Sequence, residues 1–166
     1  MPNYPFIPEG LFPIKAIAPV DASTAAMVGD YISLKNVQMA WVVVFLDQTT
    51  AHPLVLSIER ATDVTPTGSV VIANNVPIWY GNVSATSSLL ERQTDALHFD
   101  IPALVTGATI TIFQIDPASL GDTYDCITIK VSQDGHAGNI CAALYFVQPR
   151  YQGEPDHRDA DEFITD

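Results

Sequence analysis

Residues 37–47 read VQMAWVVVFLD, and this stretch decides the fold. From Met39 to Leu46 the run is apolar without a break. It is far shorter than the ~20 residues that a membrane-spanning helix needs. It is also crowded with β-branched and aromatic residues (Trp41, Val42, Val43, Val44, Phe45), which fit a pleated surface better than a helix. A strand apolar on both faces is expected at the centre of a sandwich, covered on either side. Trp41 is accordingly read as core.

Strand-like segments recur on both sides of this one: YISLK before it, then LVLSIERAT, SVVIA, VPIWY, LHFDI, TITIFQID, YDCITIKVS and ICAALYFVQ. His52-Pro53 and Asn74-Asn75 supply breaks and turns between them. In LVLSIERAT, Leu54, Leu56 and Ile58 share one face while Ser57 and Glu59 share the other. Spacing of about ten residues between such strands is that of a sandwich or barrel. The chain is therefore read as all-β, an antiparallel β-sandwich or jelly-roll-like barrel of about eight strands. Helix is confined to a turn or two, at DASTAAMVGD with Asp21 as cap and at IDPAS with Pro117 in the first helical position. Ser88 and Glu91 have capping-box spacing in a segment too short to carry a helix. VDASTAAMVGDYISLK and IDPASLGDTYDCITIK echo one another; recurrent turn chemistry explains this better than a duplicated half-sandwich.

The ends differ from the body. Prolines 2, 5, 8, 13 and 19 make residues 1–20 an extended N-terminal arm, since each bars helix and biases its predecessor to extended backbone. The arm carries Tyr4, Phe6, Ile7, Leu11, Phe12 and Ile14, and a segment with no core of its own needs another surface to cover them. These six are the candidate interface residues. Residues 21–150 form the β-domain, and residues 151–166, YQGEPDHRDADEFITD, an acidic tail.

Composition limits the chemistry. The 166 residues suit one domain, with 48% hydrophobic and only 16% charged residues, below the usual quarter. So little charge leaves a small solvated surface and favours contact with a partner, although a thick sandwich core would give the same figures. The net charge is −12, and the seven basic residues (Lys15, Lys35, Arg60, Arg92, Lys130, Arg150 and Arg158) form no cluster. Neither nucleic-acid phosphates nor an anionic membrane is an expected partner. No basic segment followed by an apolar run opens the chain, so synthesis in a cytoplasm without secretion is expected, and the Asn82-Val83-Ser84 sequon carries no weight.

No GxSxG elbow, P-loop or dinucleotide fingerprint occurs. His52, His98, His136 and His157 stand apart without zinc-ligand spacing, and no cofactor is expected. His98 and Asp100 share a strand face and read as a surface ion pair rather than an acid–base pair. Asp156, Asp159, Asp161 and Glu162 lack the calcium-loop pattern and read as a solvated tail. Trp79-Tyr80 closes a strand, where core packing is favoured and a sugar or protein platform is the alternative. Cys126 and Cys141 are expected as buried thiols. In a hairpin through QDGHAGN, Cys126 would face about Tyr145 and not Cys141. No enzyme is expected.

AIAPVDASTAAMVGDYISLKN, LERQTDALHFD, FQIDPASLGDTYDCITIKVS and AALYFVQPRY are similar to segments of small virion proteins of tailed bacteriophages and prophages, encoded beside the major capsid protein. The resemblance runs over most of residues 16–151 and contains no catalytic signature. It implies a capsid decoration protein on the outer surface of the shell. Its expected partners are the major capsid protein and further copies of itself, a trimer being favoured. Other virion positions (head fibre, neck or tail) are the nearest alternative, and a carbohydrate-binding module a more distant one.

Overall fold

The computed structural model describes residues 10–23, 25–66, 68–82, 89–102, 106–133 and 135–150. Their strands, in chain order, are β1 (Phe12–Asp21), β2 (Met27–Val28), β3 (Ile32–Ser33), β4 (Val37–Gln48), β5 (Leu54–Ala61) and β6 (Val70–Val71). There follow β7 (Ile78–Asn82), β8 (Glu91–Arg92), β9 (His98–Ile101), β10 (Gly107–Ile115), β11 (Cys126–Val131) and β12 (Ile140–Pro149). One 3-10 turn, Pro117–Ser119, precedes β11, and the Asp116 side chain caps it by accepting from Ala118 N.

The strands form an antiparallel β-sandwich. One sheet has the order β1-β12-β4-β10-β7-β8. The second runs β2-β11-β5-β6, with β3 also on β11 and β9 also on β5. Alternation along each strand builds the core between them. Val42, Val44 and Leu46 of β4, Phe113 and Ile115 of β10, and Tyr145 and Val147 of β12 face Leu54, Leu56 and Ile58 of β5 and Ile127, Ile129 and Val131 of β11. Each such side chain, fully buried, contributes about 1.5–3 kcal/mol.

The chain changes sheet at most of its loops, and this overturns the expected hairpin. β11 lies in the second sheet against β5, whereas β12 lies in the first between β1 and β4. The QDGHAGN segment is thus a crossover between sheets. Cys126 pairs in register with Ser33 and Ala61, and Cys141 with Val20 and Leu46; both thiols are buried and not bonded to each other.

The arm ends earlier than its prolines implied. Residues 12–20 are extended, but as β1, the edge strand on β12, with Ile14 opposite Tyr145 and buried in the core. Pro13 and Pro19 are tolerated because an edge strand has one side without ladder bonds. The register also shifts on either side of Ile17. Prolines and bulges together make this edge a poor template for another strand.

Among the described residues of DASTAAMVGD the expected helical turn is also absent. Asp21 instead ends β1, its carboxylate accepting from Ser23 N at 2.9 Å and from Gly138 N at 2.9 Å. Those two amides hold its carboxyl below the usual value. Competition from this local side-chain turn replaces the helix. Ser88 lies outside the described residues, and Glu91 is in β8.

A single hydroxyl ties the sheets together. β2 and β3 flank β11 but are interrupted at Gly29–Tyr31. Tyr145, fully buried on β12, inserts its Oη there, accepting from Ile129 N at 3.1 Å and donating to Asp30 O at 2.8 Å. Burial pushes its pKa well above that of an ordinary phenol. Gly29 makes the approach possible, because a Cβ at that position would lie 2.8 Å from both Tyr145 Oη and Ile129 Cγ2.

Candidate functional site

The same alternation that fills the core aims a second set of side chains outward from the first sheet. On β4 these are Met39, Trp41, Val43 and Phe45; on β10, Ile110 and Ile112; on β12, Ile140, Ala142, Leu144 and Phe146. Register places them in rows. Phe45 lies between Ala142 and Ile110, Val43 between Leu144 and Ile112, and Trp41 between Phe146 and Gln114. Trp79 of β7 continues the middle row beyond Ile112. Phe45 and Leu144 are each 43% exposed and Ile140 40%, while Trp41, Val43, Ile110, Ile112 and Phe146 are half-buried by one another. No ionisable residue occupies these central positions.

Charge appears only at the margin. Lys15 stands opposite Leu144 on β1 and pairs with Asp30 at 3.1 Å. Asp47 closes one end of β4, where it faces Ile140 and Ala108. On the far side the Arg92 guanidinium lies 4.8 Å over the Trp79 ring and pairs with Asp95. An uncharged centre of aliphatic and aromatic groups with a polar rim is the anatomy of a protein–protein interface.

The outer side of the second sheet is unlike it. Lys130 bonds Glu59 at 3.2 Å, and Ser69 donates to the other Glu59 oxygen while accepting from Tyr31 Oη at 3.0 Å. Thr128 donates to Gly29 O at 2.7 Å, and His98 and Asp100 form an exposed pair at 3.8 Å. This side mixes paired charged and hydroxyl groups with exposed Val28, Val55 and Val71.

Of the six arm residues, three are described, and these belong to the sandwich. Tyr4, Phe6 and Ile7 lie outside the described residues. Leu11 is half-buried ahead of β1, Phe12 packs against the core and Ile14 is part of it. Trp41, read as core, faces outward instead, because among the described residues only one side of this strand packs into the sandwich core. Trp79 and Tyr80 fall on opposite faces: Trp79 lies under Arg92, and Tyr80 packs against the core with Phe99 at 5.1 Å between ring centroids. They cannot form one sugar platform. At the end of the sandwich near the crossover, His52 and His136 stack with centroids 4.2 Å apart. Among the described residues no three His, Cys, Asp or Glu side chains cluster to hold a metal ion. The residues Asp156, Asp159, Asp161 and Glu162 lie outside the described part. Burial pushes the Cys141 thiol up to about 12, far from a reactive thiolate.

No family model matches the chain, and no curated protein does. Among solved structures it is similar to the crystal structure of the SPBc2 prophage-derived protein YomS, with a TM-score of 0.43 and 9% identity, over 83% of this chain and 93% of that one.

Proposed function

We propose that this chain is a structural virion protein that decorates and stabilises a tailed-phage capsid, bound to the outer surface of the shell formed by the major capsid protein. One observation carries the reading: the outward centre of one sheet is apolar and uncharged across β12, β4 and β10, with charge only at its margin. A protein whose open apolar surface is a broad, regular sheet face is built to be assembled. The loop and strand segments similar to head-module virion proteins give that assembly its identity as a capsid. The protein is made in the host cytoplasm and reaches the virion as a homo-oligomer.

The N-terminal arm adds contacts to neighbouring subunits and to the shell. Ordering it costs about 1–2 kcal/mol per residue in backbone entropy. Burying Phe6, Ile7 and Leu11 against a neighbour offsets much of that, at ~1.5–3 kcal/mol each. The test is co-sedimentation of purified capsids with the full chain and with a truncation beginning at residue 11. The cut falls there because removal through residue 15 would take Ile14 out of the core. The full chain is expected to sediment with capsids, and the truncated, folded body to stay in solution. Undiminished binding by the truncation would refute the role of the arm. Density for the protein at the neck, tail or a head fibre, rather than on the shell, would replace decoration with that position.

A further inference from the structure

From the outer face of the first sheet we infer that its occupant is a second copy of this chain: the row of Trp41, Val43, Phe45, Ile112, Leu144 and Phe146 is a self-association surface. The inference rests on the assembly reading above but not on the capsid as partner.

Size is the first support. The outward positions of β4 from Met39 to Asp47 extend roughly 27 Å at ~3.4 Å per residue, and five strands at ~4.8 Å spacing span roughly 19 Å. The footprint, on the order of 500 Å² in flat projection, is roughly two thirds of the ~800 Å² that each partner contributes to a standard stable interface. Charge is the second. Each copy carries a net −12, which opposes association, so a contact between copies must not add close like-charge pairs to that repulsion. The centre of this face has no ionisable group, whereas the outer side of the second sheet presents Glu59, Lys130, His98 and Asp100. A partner recognised through its own charge would find no counter-charge here; an identical uncharged face needs none.

The edges supply the third. β1 carries Pro13, Pro19 and register shifts, and the opposite edge, β8, is two residues long. In the second sheet β2 and β6 are also two residues long. β9, also at an edge of that sheet, has four residues, so growth edge to edge is disfavoured and the open face offers the larger contact.

The test is the mass of the full chain in solution by light scattering, without capsids, for the wild type, Phe45→Glu, Leu144→Glu and Val28→Glu. Phe45 and Leu144 are exposed enough to be replaced without entering the core, and Val28 stands opposite Lys130 on the other sheet, where a carboxylate is welcome. The wild type and Val28→Glu are expected to be oligomeric at about 20 μM, and each face variant monomeric with an unchanged far-ultraviolet circular dichroism spectrum. An unpaired carboxylate trapped in the contact should raise the dissociation constant on the order of 100-fold or more. A wild type monomeric at about 100 μM overturns the inference, as do oligomers that survive both face variants. In a monomeric wild type, Trp41 shielded from acrylamide would assign the face to the chain's own ends. Capsid binding by the monomeric variants is scored separately, so that self-association and decoration can fail independently.

Discussion

Replacing Tyr145 by Phe removes one oxygen and tests how the two sheets are held together. That hydroxyl is the acceptor for Ile129 N and the donor to Asp30 O, at the break between β2 and β3 where Gly29 N bonds Ile129 O. Phe keeps the ring in the core, so the transfer of apolar surface is nearly unchanged. What is lost is satisfaction of a buried amide; the Asp30 carbonyl, on an exposed residue, is within reach of water. A buried donor left without a partner costs about 1–3 kcal/mol. For a chain of this length each kcal/mol lowers the melting temperature by about 2–4 °C, so a fall of about 3–10 °C is expected. Urea unfolding at fixed protomer concentration should show a lower midpoint and an unchanged slope. Gly29→Ala sharpens the test, because its new methyl would sit 2.8 Å from the same hydroxyl. With Phe at position 145 one of its two overlaps is relieved, and the cost of Gly29→Ala should drop by at least ~0.5 kcal/mol. A Tyr145→Phe protein within about 0.5 kcal/mol of wild type, or strict additivity of the two changes, would refute the latch.

Two further outcomes follow from the buried polar groups. Asn139 is fully buried, its Oδ1 accepting from Thr49 N at 3.0 Å and Thr50 N at 3.2 Å and its Nδ2 donating to Thr50 O at 3.1 Å, so Asn139→Ala should cost about 2–4 kcal/mol in urea unfolding. Asn139→Asp, which keeps the acceptors and loses the donor, should fall between the two. In alkali, burial raises Cys141 from 9.0 to about 12 and raises Tyr145 as well, so the folded state favours their neutral forms. Stability should hold below pH ~9 and decline as pH rises toward 12, and Cys141→Ala should make the urea midpoint less steep across that window. An identical pH profile in Cys141→Ala would remove the thiol from the explanation.

Much of the fold was legible because strands and breaks are local signals. VQMAWVVVFLD, LVLSIERAT and TITIFQID became β4, β5 and β10, and Asp116-Pro117 became the capped turn. Eight of the strands contain four residues or more, as the spacing implied. Pairing was not legible, because it is not local. Consecutive strands here usually enter different sheets, so the hairpin through QDGHAGN was the natural expectation and the wrong one. The arm failed for a related reason. Proline says that backbone is extended, and β1 is extended; it does not say whether β12 lies alongside.

The apolar face shows why a site can be visible in sequence and still be misassigned. A strand apolar on both sides is ambiguous between one covered twice by its own chain and one whose second side awaits another molecule. β4 alone cannot distinguish these cases. The distinction needs its neighbours, and only register supplies them: Ile110 and Ile112 on one flank, with Leu89 and Leu90 approaching at Gly81 beside Ile110, and Ala142, Leu144 and Phe146 on the other. Low charge then acquires a place as well as a value. With 16% charged residues the chain keeps them off the centre of the first sheet's outer face and leaves Lys15, Asp47 and Arg92 at its margin. A thick core alone would lower the charged fraction evenly over the surface; an asymmetric deficit, confined to one side, is what a covered face produces.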